Sequence, residues 1–252
     1  MARKGYGRHP FRPTGIQKLT MTSALDATRE PLERDSPSVS DEEIVRRIVA
    51  GESALYGILM RRYNQRLFRI VRSIVGSSSE AEDVVQQAYI ATYLNLGQFE
   101  GRSTFSTWLT RVAIHEALAR VRLRKRREQL LGSDGDAPIG RSLDRDPEQQ
   151  ATIKELARLF EEACDALPDP YRVVFIMRGI EEMSTAETAE CLDVTQETVK
   201  VRFHRARALL RESFNDDIAE AAREAFSFLG KRCARLTGSV TSALRIPLPP
   251  PA

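Results

Sequence analysis

The sequence is poor in the residues that build metal sites, crosslinks and active centres. It has three cysteines and three histidines among 252 residues. Cys164, Cys191 and Cys233 lie far apart, with no C-x-x-C pair and no Cys/His cluster, so neither a zinc site nor a disulfide framework is readable. An odd number of scattered cysteines fits a reducing compartment. No apolar run approaches the ~20 residues needed to span a membrane. No signal-peptide apolar region is present, so the chain reads as cytoplasmic. His9, His115 and His204 stand alone, no Gly-rich phosphate loop occurs, and no Ser/His/Asp arrangement at a strand end is visible. These absences argue against an enzyme, and no catalytic residue, metal or cofactor is assigned. A strong overall charge is missing too, since the formal net charge is only +3. What basic character there is must be local. The 42% of hydrophobic residues suffices for a real core.

The most informative stretch is STAETAECLDVTQETVKVRFHRARALLR, residues 184–211. Ser184 and Glu187 make an S-x-x-E capping box, in which each side chain satisfies a free backbone donor at a helix start. The first helix should end near Leu192. Asp193 suits the turn because Asp tolerates a left-handed backbone, and Thr195 suits the N-cap of a second helix. On that helix Val199, Phe203, Ala206 and Leu210 recur at helical spacing and mark a buried side. The opposite side carries Glu197, Lys200, Val201, His204, Arg205 and Arg211. A polar, Arg-rich helix held by a short preceding helix is the helix-turn-helix arrangement, which lays the second helix in the DNA major groove. An amphipathic hairpin with a solvated basic face is the plainer alternative.

Residues 1–40 read as a disordered basic tail, with Arg3, Lys4, Arg8, Arg12 and Lys18 and no acid before Asp26. A DNA-contacting arm, a transit peptide and an unstructured tail all fit it, and translation from Met21 instead of Met1 is compatible with it. Residues 41–127 read as a helical domain. Ser40 caps its first helix, and apolar positions from Ile44 to Val75 continue up to a stop at Gly76. Ser79 is expected to cap a helix over residues 80–96. Ala81, Val84, Val85, Ala88, Ala91 and Thr92 would face inward, with Asp83, Gln86, Ile90 and Tyr93 on the other side. Apolar residues among polar ones there mark a protein-binding surface, or Ile90 is buried under a neighbouring helix.

In QFEGRSTFSTWLTRVAIHEALARVRLRKRR, Phe99, Phe105 and Trp108 cluster about a short loop. Seven basic residues, Arg111, Arg120, Arg122, Arg124, Lys125, Arg126 and Arg127, then oppose the single acid Glu116. Aromatics beside a basic helix supply π-faces for unstacked bases and cations for phosphates. Taken singly, Phe99 and Phe105 read better as core. Residues 128–149 form a flexible acidic linker broken by glycine and proline. Extended, it would span about 70 Å and let two domains occupy separate sites. Residues 150–214 carry two further helices and then the helix-turn-helix. Residues 215–252 form a C-terminal helical extension and a Pro-rich tail. Its apolar stripe (Ile218, Ala221, Ala225, Leu229, Cys233, Leu236, Val240, Leu244) continues from Phe214 and is interrupted by Gly230 and Gly238. That helix either packs on the domain before it, contacts a partner, or shields the groove helix. The fold class is therefore all-α, with two small helical domains joined by a linker.

In this order the parts resemble the extracytoplasmic-function sigma factors, promoter-recognition subunits of bacterial RNA polymerase. The residues that carry the resemblance are AEDVVQQAYIATYLNL through FEGRSTFSTWLTRVAIHEALARVR, and ALPDPYRVVFIMRGIEEMSTAETAECLDVTQETVKVRFHRARALLRE. The resemblance implies core RNA polymerase, duplex and melted promoter DNA, and an anti-sigma factor as partners. It implies polymerase binding by Asp83, Gln86 and Ile90. It implies capture of the melted minus-ten element by Phe99, Arg102, Ser103, Trp108, Arg111, His115, Glu116 and Arg120. It implies reading of the minus-thirty-five element by Thr195, Glu197, Thr198, Lys200, Val201, His204 and Arg205. The sequence departs from the family's usual residues at His115 (often Asn), Gln87 (a common Glu), Asp193 (a common Gly) and Thr188 (an aliphatic).

A stand-alone helix-turn-helix repressor or activator would explain residues 184–211 but not the aromatic loop. An enzyme with an appended DNA-binding domain, such as a recombinase, lacks visible catalytic groups.

Overall fold

The computed structural model describes residues 39–131, 149–213 and 231–247. The described residues are helical, with no strand among them. The tail before residue 39, residues 132–148 of the linker and residues 214–230 lie outside the described residues.

Helix α1 (Asp41–Val49) starts where expected: Ser40 accepts a hydrogen bond from the Glu43 amide at 3.2 Å. A cap of this kind contributes about 1 kcal/mol. Helix α2 (Tyr56–Val75) ends at Gly76, whose φ of 82° closes the helix in the left-handed region that glycine enters freely. Helix α3 spans Ser78–Leu94 and is capped by Ser77, not Ser79. Three consecutive serines all have the right chemistry. Ser77 follows the Gly76 stop with an extended backbone, and its hydroxyl accepts from the Glu80 amide at 3.4 Å. The helix also ends two residues before Leu96, which enters a 3-10 turn, Leu96–Gln98. Helix α4 (Phe105–Leu131) is capped by Thr104 and runs four residues past Arg127. The linker therefore begins later than expected, because no helix-breaking residue occurs before Gly132.

These helices enclose the first core. Leu59, Leu67, Val85, Phe105 and Leu109 are fully buried in it. Burial of each such side chain contributes roughly 1.5–3 kcal/mol. Its buried tyrosines are satisfied, as polar groups away from water must be. The Tyr56 hydroxyl donates to the Tyr89 carbonyl at 2.7 Å, and the Tyr89 hydroxyl to the Met60 carbonyl at 3.3 Å.

The second half comprises α5 (Gln149–Ala166), α6 (Asp169–Phe175), a π-turn (Ile176–Ile180), α7 (Thr185–Leu192) and α8 (Gln196–Ser213). It is packed directly on the first. Ile70 of α2 and Ile114 of α4 are fully buried among Phe160, Cys164, Val173, Ile176 and Met177. The Arg72 guanidinium forks onto Asp165 at 2.9 and 2.8 Å, and Arg172 donates to the Ser73 carbonyl at 2.9 Å. The separation that the linker length allows is thus not the arrangement seen.

The described part of the C-terminal stripe, residues 233–244, lies on helix α9 (Lys231–Leu244), while its residues 214–229 lie outside the described residues. It does not extend the core of the domain before it and does not cover the groove helix. It lies on α2 and α3, with Leu236 and Val240 buried in the first core. Its basic residues explain the choice, since Arg232 and Arg235 both pair with Glu82 of α3.

Candidate nucleic-acid interface

Helices α7 and α8 reproduce the expected helix-turn-helix in detail. Ser184 accepts from the Glu187 amide at 3.1 Å, and Glu187 accepts from the Ser184 amide at 2.8 Å. These bonds hold the Glu187 carboxyl below its ordinary value, since they favour its charged form. Asp193 takes the left-handed turn with φ 53° and ψ 49°. Thr195 caps α8: its hydroxyl accepts from the Thr198 amide at 3.2 Å and bonds the Thr198 hydroxyl at 2.8 Å. Val199, Ala206 and Leu210 are buried and hold α8 against α6 and α7.

The outward face of α8 presents Glu197, Lys200, Val201, His204 and Arg205, all exposed. Val201, 56% exposed, is an apolar residue set among charges. Lys200 donates to Glu197 at 2.6 Å, a surface pair that binding can break at little cost. Phe203 departs from expectation. It is only partly buried at the edge of the small core of Val174, Ala189 and Val199. Its ring stacks on Phe175 at 6.2 Å, and the guanidinium groups of Arg178 and Arg207 lie 5.5 and 5.8 Å from its centroid. Turned this far toward solvent, it carries cations instead of filling the core.

In the first domain the expected aromatic cluster is assembled. Phe99, Phe105 and Trp108 have centroids 5.4 to 6.0 Å apart. Phe105 is fully buried, whereas Phe99 and Trp108 keep partial exposure. Arg102 is exposed and pairs with Glu100. Ser103 is half-buried just before α4. On α4, Arg111 and His115 are exposed and Glu116 and Arg120 half-buried. Arg124, from the same basic run, is already engaged by the Val75 carbonyl at 3.1 Å and by Glu80 at 2.9 Å. On α3, Asp83 is exposed, while Gln86 and Ile90 are half-buried. Ile90 packs against the core, so the second reading of that residue holds in part.

Residues 59–127 match the Sigma-70 region 2 family and residues 157–210 the Sigma-70, region 4 family. The chain is 30% identical over 178 residues to the ECF RNA polymerase sigma-E factor of Haemophilus influenzae, covering 68% of this chain and 94% of that one. The chain belongs to the ECF sigma factors. It is 29% identical over 178 residues to the ECF RNA polymerase sigma factor SigW of Bacillus subtilis, covering 68% of this chain and 95% of that protein. Among solved structures it resembles the sigma factor RpoE of Bartonella quintana, determined with the anti-sigma factor NepR, at a TM-score of 0.51 and 26% identity over 60% of this chain and 91% of that one. The fold is also similar to CnrH, determined with the cytosolic domain of CnrY, at a TM-score of 0.50 and 24% identity over 68% of this chain and 95% of that one. As an ECF sigma factor the chain is a promoter-recognition subunit of bacterial RNA polymerase. The family is one of non-catalytic initiation factors.

In this sigma factor, residues beyond those foreseen border the groove helix. Arg178, Thr185 and Arg207 line a cavity of about 200 Å³ together with Lys200, Phe203 and His204. Arg207 was open to view as one more basic residue on α8. Arg178 was not, because a π-turn that no sequence periodicity marks swings it there; its guanidinium donates to the Met183 carbonyl. No helix among the described residues is long and apolar enough to cross a membrane. No group of three or more His, Cys, Asp or Glu among them is placed to hold a metal ion.

Proposed function

We propose that the two halves of this sigma factor, residues 41–127 and 150–214, divide promoter recognition between them. Thr195, Glu197, Thr198, Lys200, Val201, His204 and Arg205 read the duplex minus-thirty-five element. Thr195 and Thr198 act there chiefly by fixing the start of α8, while Val201 offers an apolar contact of the kind that meets a thymine methyl. Phe99, Arg102, Ser103, Trp108, Arg111, His115, Glu116 and Arg120 hold the melted minus-ten strand. Phe99 and Trp108 supply exposed ring surface and Phe105 supports them from beneath. Asp83, Gln86 and Ile90 dock on core polymerase.

The observation that carries this reading is the outward face of α8, basic and exposed, on a helix fixed by a cap, a left-handed turn and a buried seam. Reading both elements at once requires the halves to part. By their names the elements lie about 25 base pairs apart, some 85 Å at 3.4 Å per step. An anti-sigma partner that favours the closed packing fits the same scheme, in a cytoplasmic protein that acts stoichiometrically and not as an enzyme.

Run-off transcription with core polymerase and a promoter library, with and without the chain, tests the proposal. Specific transcripts should appear only with the chain and saturate at one chain per polymerase. Tight operator binding by the chain alone, with no polymerase-dependent transcript, would favour a repressor and defeat the reading.

A further inference from the structure

Helix α9 lies outside both family segments, yet it fills a face that the first of them builds. The centre of that face is apolar. Leu236 and Val240 are buried in it, and the Arg232 guanidinium sits 4.6 Å from the centroid of Phe68. Around this centre the contacts are polar. Arg232 and Arg235 donate to the two carboxylate oxygens of Glu82 at 3.0 and 2.6 Å. The Asn64 amide donates to the Cys233 sulfur at 2.9 Å and to the Thr237 hydroxyl at 3.5 Å. Polar groups thus lie inside this contact as well as beside it, since Asn64 and Thr237 are themselves buried, unlike a wholly apolar seam between helices of one core.

Two further features make α9 detachable. The side-chain amide oxygen of Asn64 is buried with no hydrogen-bond partner among the described residues. A polar atom left in that state costs free energy that water would return if α9 withdrew. The helix is also intrinsically weak. Residues 237–242, Thr-Gly-Ser-Val-Thr-Ser, are poor helix formers. Gly238 has nothing within 4 Å of where a Cβ would stand, so no close approach requires glycine there, and alanine would be the better helix former. A 14-residue helix of this composition is marginal in water and owes its order to the face it covers. Leaving the face and unwinding are therefore one event.

We propose that α9 is an in-chain occupant of a docking surface for core RNA polymerase, and that polymerase takes the α2–α3 face as α9 leaves it. This rests on the sigma-factor reading and extends its partner surface. The outward stripe of α3 runs beside Glu82 at helical spacing, through Asp83, Gln87, Ile90 and Leu94. Leu94 is 71% exposed at its end. The covered face thus lies beside Asp83 and Ile90, two of the residues we assign to polymerase docking, of which Asp83 is exposed. The segment that replaces α9 must match its chemistry: a basic side chain opposite Glu82, and apolar residues at helical spacing over Phe68. That describes an amphipathic helix of the polymerase with an arginine or lysine one turn before its apolar stripe.

Hydrogen exchange on the full chain, alone and with core polymerase, tests this. Amides of residues 231–247 should lose protection in the complex, while those of α2 keep theirs. The full-length variant R232E/R235E, which sets like charge against Glu82, should bind core polymerase roughly three- to tenfold more tightly, because more of the free chain is already competent. Undiminished protection of residues 231–247 in the complex overturns the proposal, whatever the variant does. So does an affinity unchanged or weakened by R232E/R235E. Loss of protection with an anti-sigma protein but not with polymerase also overturns it, by assigning the face to another partner. If no form of the chain binds core polymerase, the sigma-factor reading itself fails, a result distinct from these.

Discussion

The Cys191 thiol donates to the Thr107 backbone carbonyl at 3.5 Å, joining the first helix of the helix-turn-helix to the start of α4. Beside it the Thr107 hydroxyl reaches Glu187 at 3.5 Å. The helix that supports duplex reading thus rests on the helix that follows the aromatic loop. A chain in this state keeps its two DNA-binding halves together.

Cys191 therefore reports on opening. Burial pushes its thiol up to about 12, with Glu190 and Glu187 adding to the effect and Arg66 and Arg111 opposing it. At pH 8 iodoacetamide should modify Cys191 at least ~100-fold more slowly than a free cysteine, since only the thiolate reacts. Glu181, which accepts from Arg69 at 3.1 Å, is one of the ties across the same boundary. Glu181→Lys places a third cation beside Arg66 and Arg69 and should raise the labelling rate at least tenfold. Peptide mapping by mass spectrometry measures both rates, and equal labelling of the two chains would mean that Glu181 does not hold the halves closed.

Arg205→Ala should weaken binding to minus-thirty-five duplex by about 1–3 kcal/mol without lowering the melting temperature, because Arg205 is exposed on the outward face of α8. Phe203→Ala should do the reverse in part. It removes a stacked ring from the rim of the second domain and should cost about 1–3 kcal/mol of stability, short of unfolding. Thermal melts and fluorescence anisotropy on one promoter duplex separate the two effects.

Trp108→Ala should impair open-complex formation more than closed-complex binding. A partly exposed ring packed at a tilt against Phe99 can receive a base only after the strand has opened. Permanganate footprinting should show reduced thymine reactivity at unchanged polymerase occupancy. A pre-melted bubble template should recover most of the lost transcription.

The capping box gives a pH dependence of known sign. The folded-state pKa of Glu187 lies below its unfolded value, so its contribution to stability is complete above the ordinary carboxylate range near 4.3 and fades as pH falls through the folded value. Glu187→Gln should destabilise the chain at pH 7, and the difference from the parent should shrink steadily below pH 4. Urea titrations at pH 7, 5, 4 and 3 would follow it. A difference constant across that series would show that the charge of Glu187 is not what the cap uses.

The helix-turn-helix was legible in the sequence because its signals are local. Ser184, Glu187, Asp193 and Thr195 act within one turn of their own positions, and each does what its chemistry favours. The aromatic cluster was legible for the same reason. Placing the cap of α3 failed because three adjacent serines share one chemistry and only the preceding Gly76 distinguishes them. Phe203 misled because helical spacing sets a direction but not a depth. The packing of the two halves, and of α9 on α2, could not be read at all. Ile70, Ile114, Leu236 and Val240 are ordinary apolar residues on ordinary stripes, and nothing within their own helices says which distant surface will cover them.

The placement of α9 also sets an order of events at the ribosome. Leu236 and Val240 share one core with Ile44, Tyr89 and Ala117. At ~5–20 residues per second, the roughly 120 residues between Ala117 and Leu236 take on the order of ten seconds to synthesise. For that interval the nascent first domain has its α1–α4 partners but no cover over Phe68, and the chain is briefly born in the state that the finished molecule must reopen to reach. Whatever binds that face thus meets its first opportunity during translation, before the chain has finished making its own competitor.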